Sequence, residues 1–271
     1  MPVIFKDDSL TDYFVDSEVA PSSKAYESAK VISFPRLKLS IDHDFWANLP
    51  TDEFPQLKKL KSLNAGGDDP ALDAGLAALP GDLASAVRAQ IDSVLDQVMP
   101  AYETIFSGYV FTDRRAVWRL NTIHNEKLHI DTGVGVHMAR LFINLDNQPR
   151  IWTTSYLVSE MIDRWDVHGE GPAVRKQLNK LVFGHISDWR TDAPRHVIYF
   201  QPGEAWAVDS RKVAHQIFYG RRALSIDFCV DTNSMHDPAQ IIDETIQRQL
   251  KARAEAAPSV QKTKESIVLE G

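Results

Sequence analysis

Little in this chain favours covalent cross-linking, membrane insertion or polyanion binding. It has one cysteine, Cys229, which has no internal disulfide partner. Within Leu224-Ser-Ile-Asp-Phe-Cys-Val230 that residue reads as a small buried hydrophobe. No run approaches the roughly 18–20 consecutive apolar residues of a membrane span. The opening Met-Pro-Val-Ile-Phe-Lys-Asp-Asp carries neither a basic region nor a long apolar stretch, so no signal peptide is expected and the chain reads as cytoplasmic. Positive charge is in deficit: 30 Lys and Arg against 37 Asp and Glu give a net charge of −7. That balance argues against the general electrostatic footprint of a nucleic-acid binder. Internal repeats and low-complexity blocks are also missing. What remains is 271 residues, 44% hydrophobic and 25% charged, the composition of a soluble globular protein long enough to bury a sizeable core. One domain over 1–271 is the economical reading.

Periodicity divides the chain into regions of different character. Between Gly81 and Met99, apolar residues Leu83, Val87, Ile91, Val94, Leu95 and Val98 recur at helical spacing with polar residues between. This predicts an amphipathic helix that Pro100 bends or ends. Lys30 to Leu39 is a strand candidate in which Pro35 implies a sheet edge or an irregularity. From about 108 the pattern turns to short strands: 117–120, 128–130, 139–145, 150–153, 196–200, 205–208, 213–219 and 224–230. Asn147-Gln-Pro149, Gln201-Pro-Gly203 and Gly220-Arg-Arg222 mark turns between several of them. Many short strands with such punctuation predict a mainly β fold with flanking helices, a double-stranded β-helix or jelly roll of the cupin kind. Its barrel core is expected at about 108–235, with helical support at about 80–106 and 237–256. The stretch from about 155 to 190 reads as a helical insertion.

One constellation carries chemistry. His129 and Asp131, two apart on an extended segment, point to the same side because strand side chains alternate. His215, in a later strand, closes a triangle of two imidazoles and a carboxylate. Such a set occupies one face of an octahedral Fe(II) and leaves positions open for a co-substrate and dioxygen. If the co-substrate is 2-oxoglutarate, its far carboxylate needs a cation. Arg140, flanked by Ala139, Leu141 and Phe142, is a candidate, since a charge in an apolar run needs a partner if it points inward. Trp118, Arg119 and Trp152 are candidate pocket walls, and His137 lies near the motif. Gly133 and Gly135 would give the loop after Asp131 the freedom of a substrate gate. A barrel of this kind also suits a cupin-type sugar isomerase, or a sugar-binding module without turnover.

Several segments run in an order that resembles the Kdo hydroxylases, which act on a 3-deoxy-octulosonate sugar of bacterial lipopolysaccharide. They are Lys30-Val-Ile-Ser-Phe-Pro-Arg-Leu37, Lys127-Leu-His-Ile-Asp131, Arg140-Leu-Phe-Ile-Asn144, Pro149-Arg-Ile-Trp152, Gln201-Pro-Gly203 and Ala214-His215. The resemblance covers most of residues 30–230. It implies an Fe(II)- and 2-oxoglutarate-dependent hydroxylase with His129, Asp131 and His215 as iron ligands and Arg140 and Trp152 at the co-substrate. In the wider superfamily an Arg and a Ser beyond the distal His contact the co-substrate. Arg221, Arg222 and Ser225 stand in that direction, at a short spacing. Trp118, Arg119 and His137 are assigned to the substrate. Asp131 favours hydroxylation over halogenation, which leaves that ligand position to halide. The departure is Thr132 to Ala139, short and nearly uncharged, where the family is expected to carry a longer loop with Arg and Pro. A free amino acid or another small metabolite therefore stands beside a lipid-linked Kdo-type sugar as substrate. A lipid-linked sugar would place the enzyme at the inner membrane periphery. Oligomeric state is not encoded in any of these patterns.

Overall fold

The computed structural model describes residues 3–5, 14–37, 39–131, 137–186 and 193–256, with the backbone alone at 3–5, 185 and 186. The loop at 132–136, including Gly133 and Gly135, lies outside the described residues, as does the tail after 256.

Two sheets form a jelly roll. The strands are β1 (Val3–Phe5), β2 (Phe14–Asp16), β3 (Val31–Phe34), β4 (Lys59–Ser62), β5 (Phe111–Arg119) and β6 (Ile123–His124). They continue with β7 (Met138–Asn144), β8 (Arg150–Leu157), β9 (His196–Phe200), β10 (Ala205–Ala207), β11 (Val213–Gly220) and β12 (Ala223–Val230). One sheet has the order β1-β9-β8-β11-β6 and the other β2-β3-β10-β7-β12-β5-β4. Successive strands from β5 to β12 alternate between the sheets, except that β8 and β9 are neighbours in one sheet. The result is two four-stranded cores, 6-11-8-9 and 5-12-7-10, facing one another.

Each sheet side has a reason in sequence. On β7 and β12, Ala139, Leu141, Ile143, Leu224, Ile226 and Phe228 share a core with Trp46, Trp118 and the apolar face of the long helix Gly81–Ile105. The alternate residues Arg140, Phe142, Ser225 and Asp227 therefore turn to the other sheet. Register pairs Phe142 with Ser225 and Arg140 with Asp227, so these four form one continuous inner surface. A third apolar cluster, with Trp152, Ile198, Phe200, Trp206 and Val213, fills the space between the sheets and reaches the site through Trp152.

The helix at 81–105 runs through Pro100 rather than stopping there. Pro100 is exposed, so the backbone carbonyl that loses its partner faces water, while Tyr102 continues the buried stripe and its hydroxyl donates to the Ala139 carbonyl at 3.0 Å. β3 is not an edge: it pairs parallel with β2 and antiparallel with β10, and Pro35 falls just beyond its last residue. The barrel also draws on residues before 108, since β1 to β4 extend both sheets. Cys229 is half-buried rather than buried. Between β8 and β9, helices Val158–Arg164 and Gly171–Leu181 and a π-turn at Val182–Ile186 form the insertion. It packs with the C-terminal helix Ile242–Ala256 in a separate cluster that includes Leu128 and Ile130.

Candidate metal centre

Residues 128–130 do not form a strand. They touch β11 through a single antiparallel bridge, His129 to His215, in which each backbone N–H donates to the other's carbonyl at 2.9 and 2.8 Å. The Asp131 N–H continues the pairing to the Ser210 carbonyl at 3.1 Å. Alternation along this short arm sends Leu128 and Ile130 into the helical cluster and leaves His129 and Asp131 facing His215. Among the described residues these three form a group whose ligand atoms all lie within 4.8 Å of one another. His129 Nε2 lies 3.6 Å from Asp131 Oδ1, and the two imidazole centroids are 4.6 Å apart.

The donor set suits a divalent cation. His129 Nδ1 is 2.8 Å from the Lys127 carbonyl and His215 Nδ1 is 3.1 Å from the Val213 carbonyl. A carbonyl only accepts, so each Nδ1 carries the proton and each Nε2 keeps a lone pair for a metal. Burial pushes the His215 imidazole down to about 4, leaving it neutral. For Asp131, burial alone would raise the carboxyl. The neighbouring His129, the Arg140 charge and the Ser210 hydroxyl outweigh it and hold the group well below the usual carboxylate range.

Arg140 is committed elsewhere than to a co-substrate. Its Nη1 donates to Asp131 Oδ2 and to the Ser210 hydroxyl, and its Nε lies 3.0 Å from Asp227 Oδ1. Ser210 Oγ also donates to Asp131 Oδ2 at 2.7 Å. The expectation that Arg140 anchors a foreign carboxylate is therefore corrected: it orients the carboxylate of the triad.

A pocket opens from the triad between the sheets. It is lined by His129, Asp131 and His215 at one side and by Arg119, Glu126, Phe142, Arg150, Trp152, Ile217 and Ala223. Trp152 stacks on His215 with centroids 5.1 Å apart and planes at 20°. Arg150 is the residue that the motif reading missed. It opens β8 two positions before Trp152 and is 3% exposed. It has no ion-pair or hydrogen-bond partner among the described residues. Burial, then the neighbouring Arg119 charge, push its guanidinium down to about 10, still charged at neutral pH. The signal was present in Pro149-Arg-Ile-Trp152: a cation in register with a pocket tryptophan on the same strand face.

The remaining candidates scatter. Arg221 pairs with Asp146, Nε to Oδ2 at 2.8 Å and Nη2 to Oδ1 at 2.6 Å. Arg222 is buried and donates to the carbonyls of Trp46, Leu120 and Leu49. Both are corrected to structural roles, because their donors are already spent. Ser225 is fully buried on the inner face between Ala223 and Asp227, and its hydroxyl has no hydrogen-bond partner there. Trp118 stacks on Trp46 in the outer core at 5.3 Å and 13°, and His137 is fully buried with Nε2 3.3 Å from the Tyr109 hydroxyl. Burial pushes His137 down to about 3. Neither is reachable by a substrate, and that expectation is corrected for both. Arg119 does line the pocket.

No protein-family model and no characterised protein matches the sequence. Similar solved structures include the Kdo hydroxylase KdoO, a non-heme Fe(II) alpha-ketoglutarate-dependent dioxygenase, in complex with succinate and Fe(III). That likeness has a TM-score of 0.62 at 13% identity and covers 93% of this chain and 99% of the other. The same enzyme with alpha-ketoglutarate and Fe(III) gives 0.60 at 14% identity, over 95% of this chain and all of that one. Across nearly its whole length, this chain shares the jelly-roll fold of those structures.

Proposed function

We propose that this chain is a single-domain Fe(II)- and 2-oxoglutarate-dependent oxygenase that hydroxylates an aliphatic C–H. The observation that carries the reading is the pocket itself, with a two-His, one-carboxylate set at one side and in its lining a buried cation, Arg150, that makes no ion pair or hydrogen bond among the described residues. That arrangement suits a small dicarboxylate. Iron with 2-oxoglutarate and dioxygen would supply the oxidising power for C–H hydroxylation. The chain's own residues do the rest. His129, Asp131 and His215 would hold the metal, and Arg140 and Ser210 keep the Asp131 carboxylate turned toward it. Arg150, with Arg119 beside it, would receive the far carboxylate of the co-substrate, and the unpartnered Ser225 hydroxyl is available on the same inner face. Phe142, Trp152 and Ile217 exclude water, which strengthens each charge contact.

The fold likeness to KdoO supports a Kdo-type sugar as substrate. A second reading, the same chemistry on a free amino acid, is favoured by Glu126. Its carboxylate lines the pocket with a buried oxygen that has no hydrogen-bond partner among the described residues, a place for an ammonium or hydroxyl donor.

Anaerobic titration with Fe(II) and 2-oxoglutarate should produce the visible metal-to-ligand charge-transfer band. His129→Ala, Asp131→Ala and His215→Ala should each lose it while keeping wild-type circular dichroism. A variant that retains near wild-type 2-oxoglutarate decarboxylation with bound iron would sink the triad. Incubation with Kdo-containing lipid A precursors or an amino-acid panel, read by a gain of one oxygen mass, separates the two substrates.

A further inference from the structure

The arm that carries two of the three candidate metal ligands has only one strand-like side. The backbone groups of His129 are satisfied by His215, as described. Those of Ile130 point the opposite way, because N–H and C=O directions alternate along an extended chain. No neighbouring strand lies on that side among the described residues. Buried peptide groups left without partners are costly, so something must take the place of a strand.

A single side chain does so. Asn179, on the helix Gly171–Leu181, accepts from the Ile130 N–H through Oδ1 at 2.8 Å and donates from Nδ2 to the Ile130 carbonyl at 2.7 Å. Leu178 and Val182 on either side of it pack in the cluster that holds Leu128 and Ile130, so the helix is seated where its amide meets this peptide. The arm is thus gripped on one edge by β11 and on the other by one carboxamide, with His129 and Asp131 flanking the gripped peptide.

Resting on the metal reading above, we propose that Asn179 is a positioning residue for the metal centre. Its bidentate hold on the Ile130 peptide fixes the backbone between His129 and Asp131 and so sets the separation of their side chains. The helical insertion, which contributes none of the three ligands, would then tune how well they close on a metal.

The same helix supplies an internal control. Gln177 makes an equivalent pair of bonds to the backbone of His168, donating to its carbonyl at 2.7 Å and accepting from its N–H at 3.3 Å, in a segment outside the triad and its pocket. Co(II) titration of the full-length protein, read by ligand-field absorbance, should show Asn179→Ala and Asn179→Leu binding about 10-fold or more weakly, the range seen when groups supporting metal ligands are removed. Gln177→Ala should bind as the wild type does. Asn179→Leu guards against misfolding, since leucine favours the helix and extends its apolar face. Exchange of the Ile130 amide hydrogen in the metal-free protein should quicken in both Asn179 variants and stay unchanged in Gln177→Ala. Wild-type Co(II) affinity in the Asn179 variants, with binding intact in the parent, would overturn this role alone. A parent protein that binds no Co(II) would overturn the metal reading and this role together.

Discussion

At the scale of single residues, the inner surface separates two arginines that a sequence pattern treats alike. Arg140 sits among acceptors, Asp131, Ser210 and Asp227, whereas Arg150 lies buried in the pocket lining with no such acceptor among the described residues. Their substitutions should therefore fail differently. Arg150→Gln should raise the 2-oxoglutarate concentration needed for half-maximal decarboxylation at least tenfold, because a desolvated charge pair contributes on the order of 2–5 kcal/mol. Arg140→Ala should act first on the metal, weakening Co(II) binding with a smaller change in 2-oxoglutarate requirement. If Arg140→Ala instead shows the larger co-substrate effect, the anchor has been assigned to the wrong arginine. Gly220 adds a steric condition: a Cβ there would fall 2.4 Å from Arg150 Nη1, so the glycine leaves the space in which that guanidinium lies.

At the scale of elements, the long helix tolerates a proline in its interior. Pro100 cannot donate to the carbonyl four residues back, and a proline inside a helix costs about 3 kcal/mol. Because Pro100 is exposed and the buried stripe continues past it, Pro100→Ala should stabilise the protein by about 1–3 kcal/mol, seen as a higher urea midpoint. An unchanged midpoint would mean that the helix is already adapted to the ring. The elements also show what a sequence can reveal. The helix and most of β5 to β12 were legible because their apolar periods are long or flanked by turns. β4, Lys-Leu-Lys-Ser, was not: four residues with two lysines give no core signal, and its pairing with β5 supplies the strand. The arm at 128–130 alternates like a strand but reaches only one bridge, since its other edge meets a helix. In the site, the meeting of His129, Asp131 and His215 was legible from spacing. The commitments of Arg140 were not, because Asp227 and Ser210 come from distant β12 and the turn before β11. Arg150 was passed over because its signal, a strand face shared with Trp152, tells only once Trp152 is placed in the pocket.

At the scale of the whole molecule, a buried charge ties the ends of the described chain together. Lys212 is 4% exposed, and its Nζ donates to the Glu27 carbonyl at 2.8 Å. The Glu27 carboxylate accepts in turn from the Tyr109 hydroxyl and from the backbone N–H groups of His236 and Asp237. Burial pushes the lysine ammonium down to about 8 from its ordinary 10.5. Below about pH 8 it is charged in both folded and unfolded chains, and the native state bears the full penalty, about 3 kcal/mol at 1.36 kcal/mol per unit. Between about 8 and 10.5 the unfolded chain holds more protons, so stability rises with pH through that window. Lys212→Met should lack this rise, so its stability relative to wild type should fall from pH 7 to pH 10 in chemical denaturation. Parallel profiles would exclude an energetic role for that ammonium. The strand order has a consequence for how the molecule comes into being. β5 lies between β4 and β12, and β7 between β12 and β10, so the larger sheet is built from contacts distant in sequence, the kind that form slowly. During synthesis the barrel has nothing to close on until the last strand leaves the ribosome. A chain ending before β12 would therefore leave the larger sheet open, with β5 and β7 unjoined and Arg140 without Asp227.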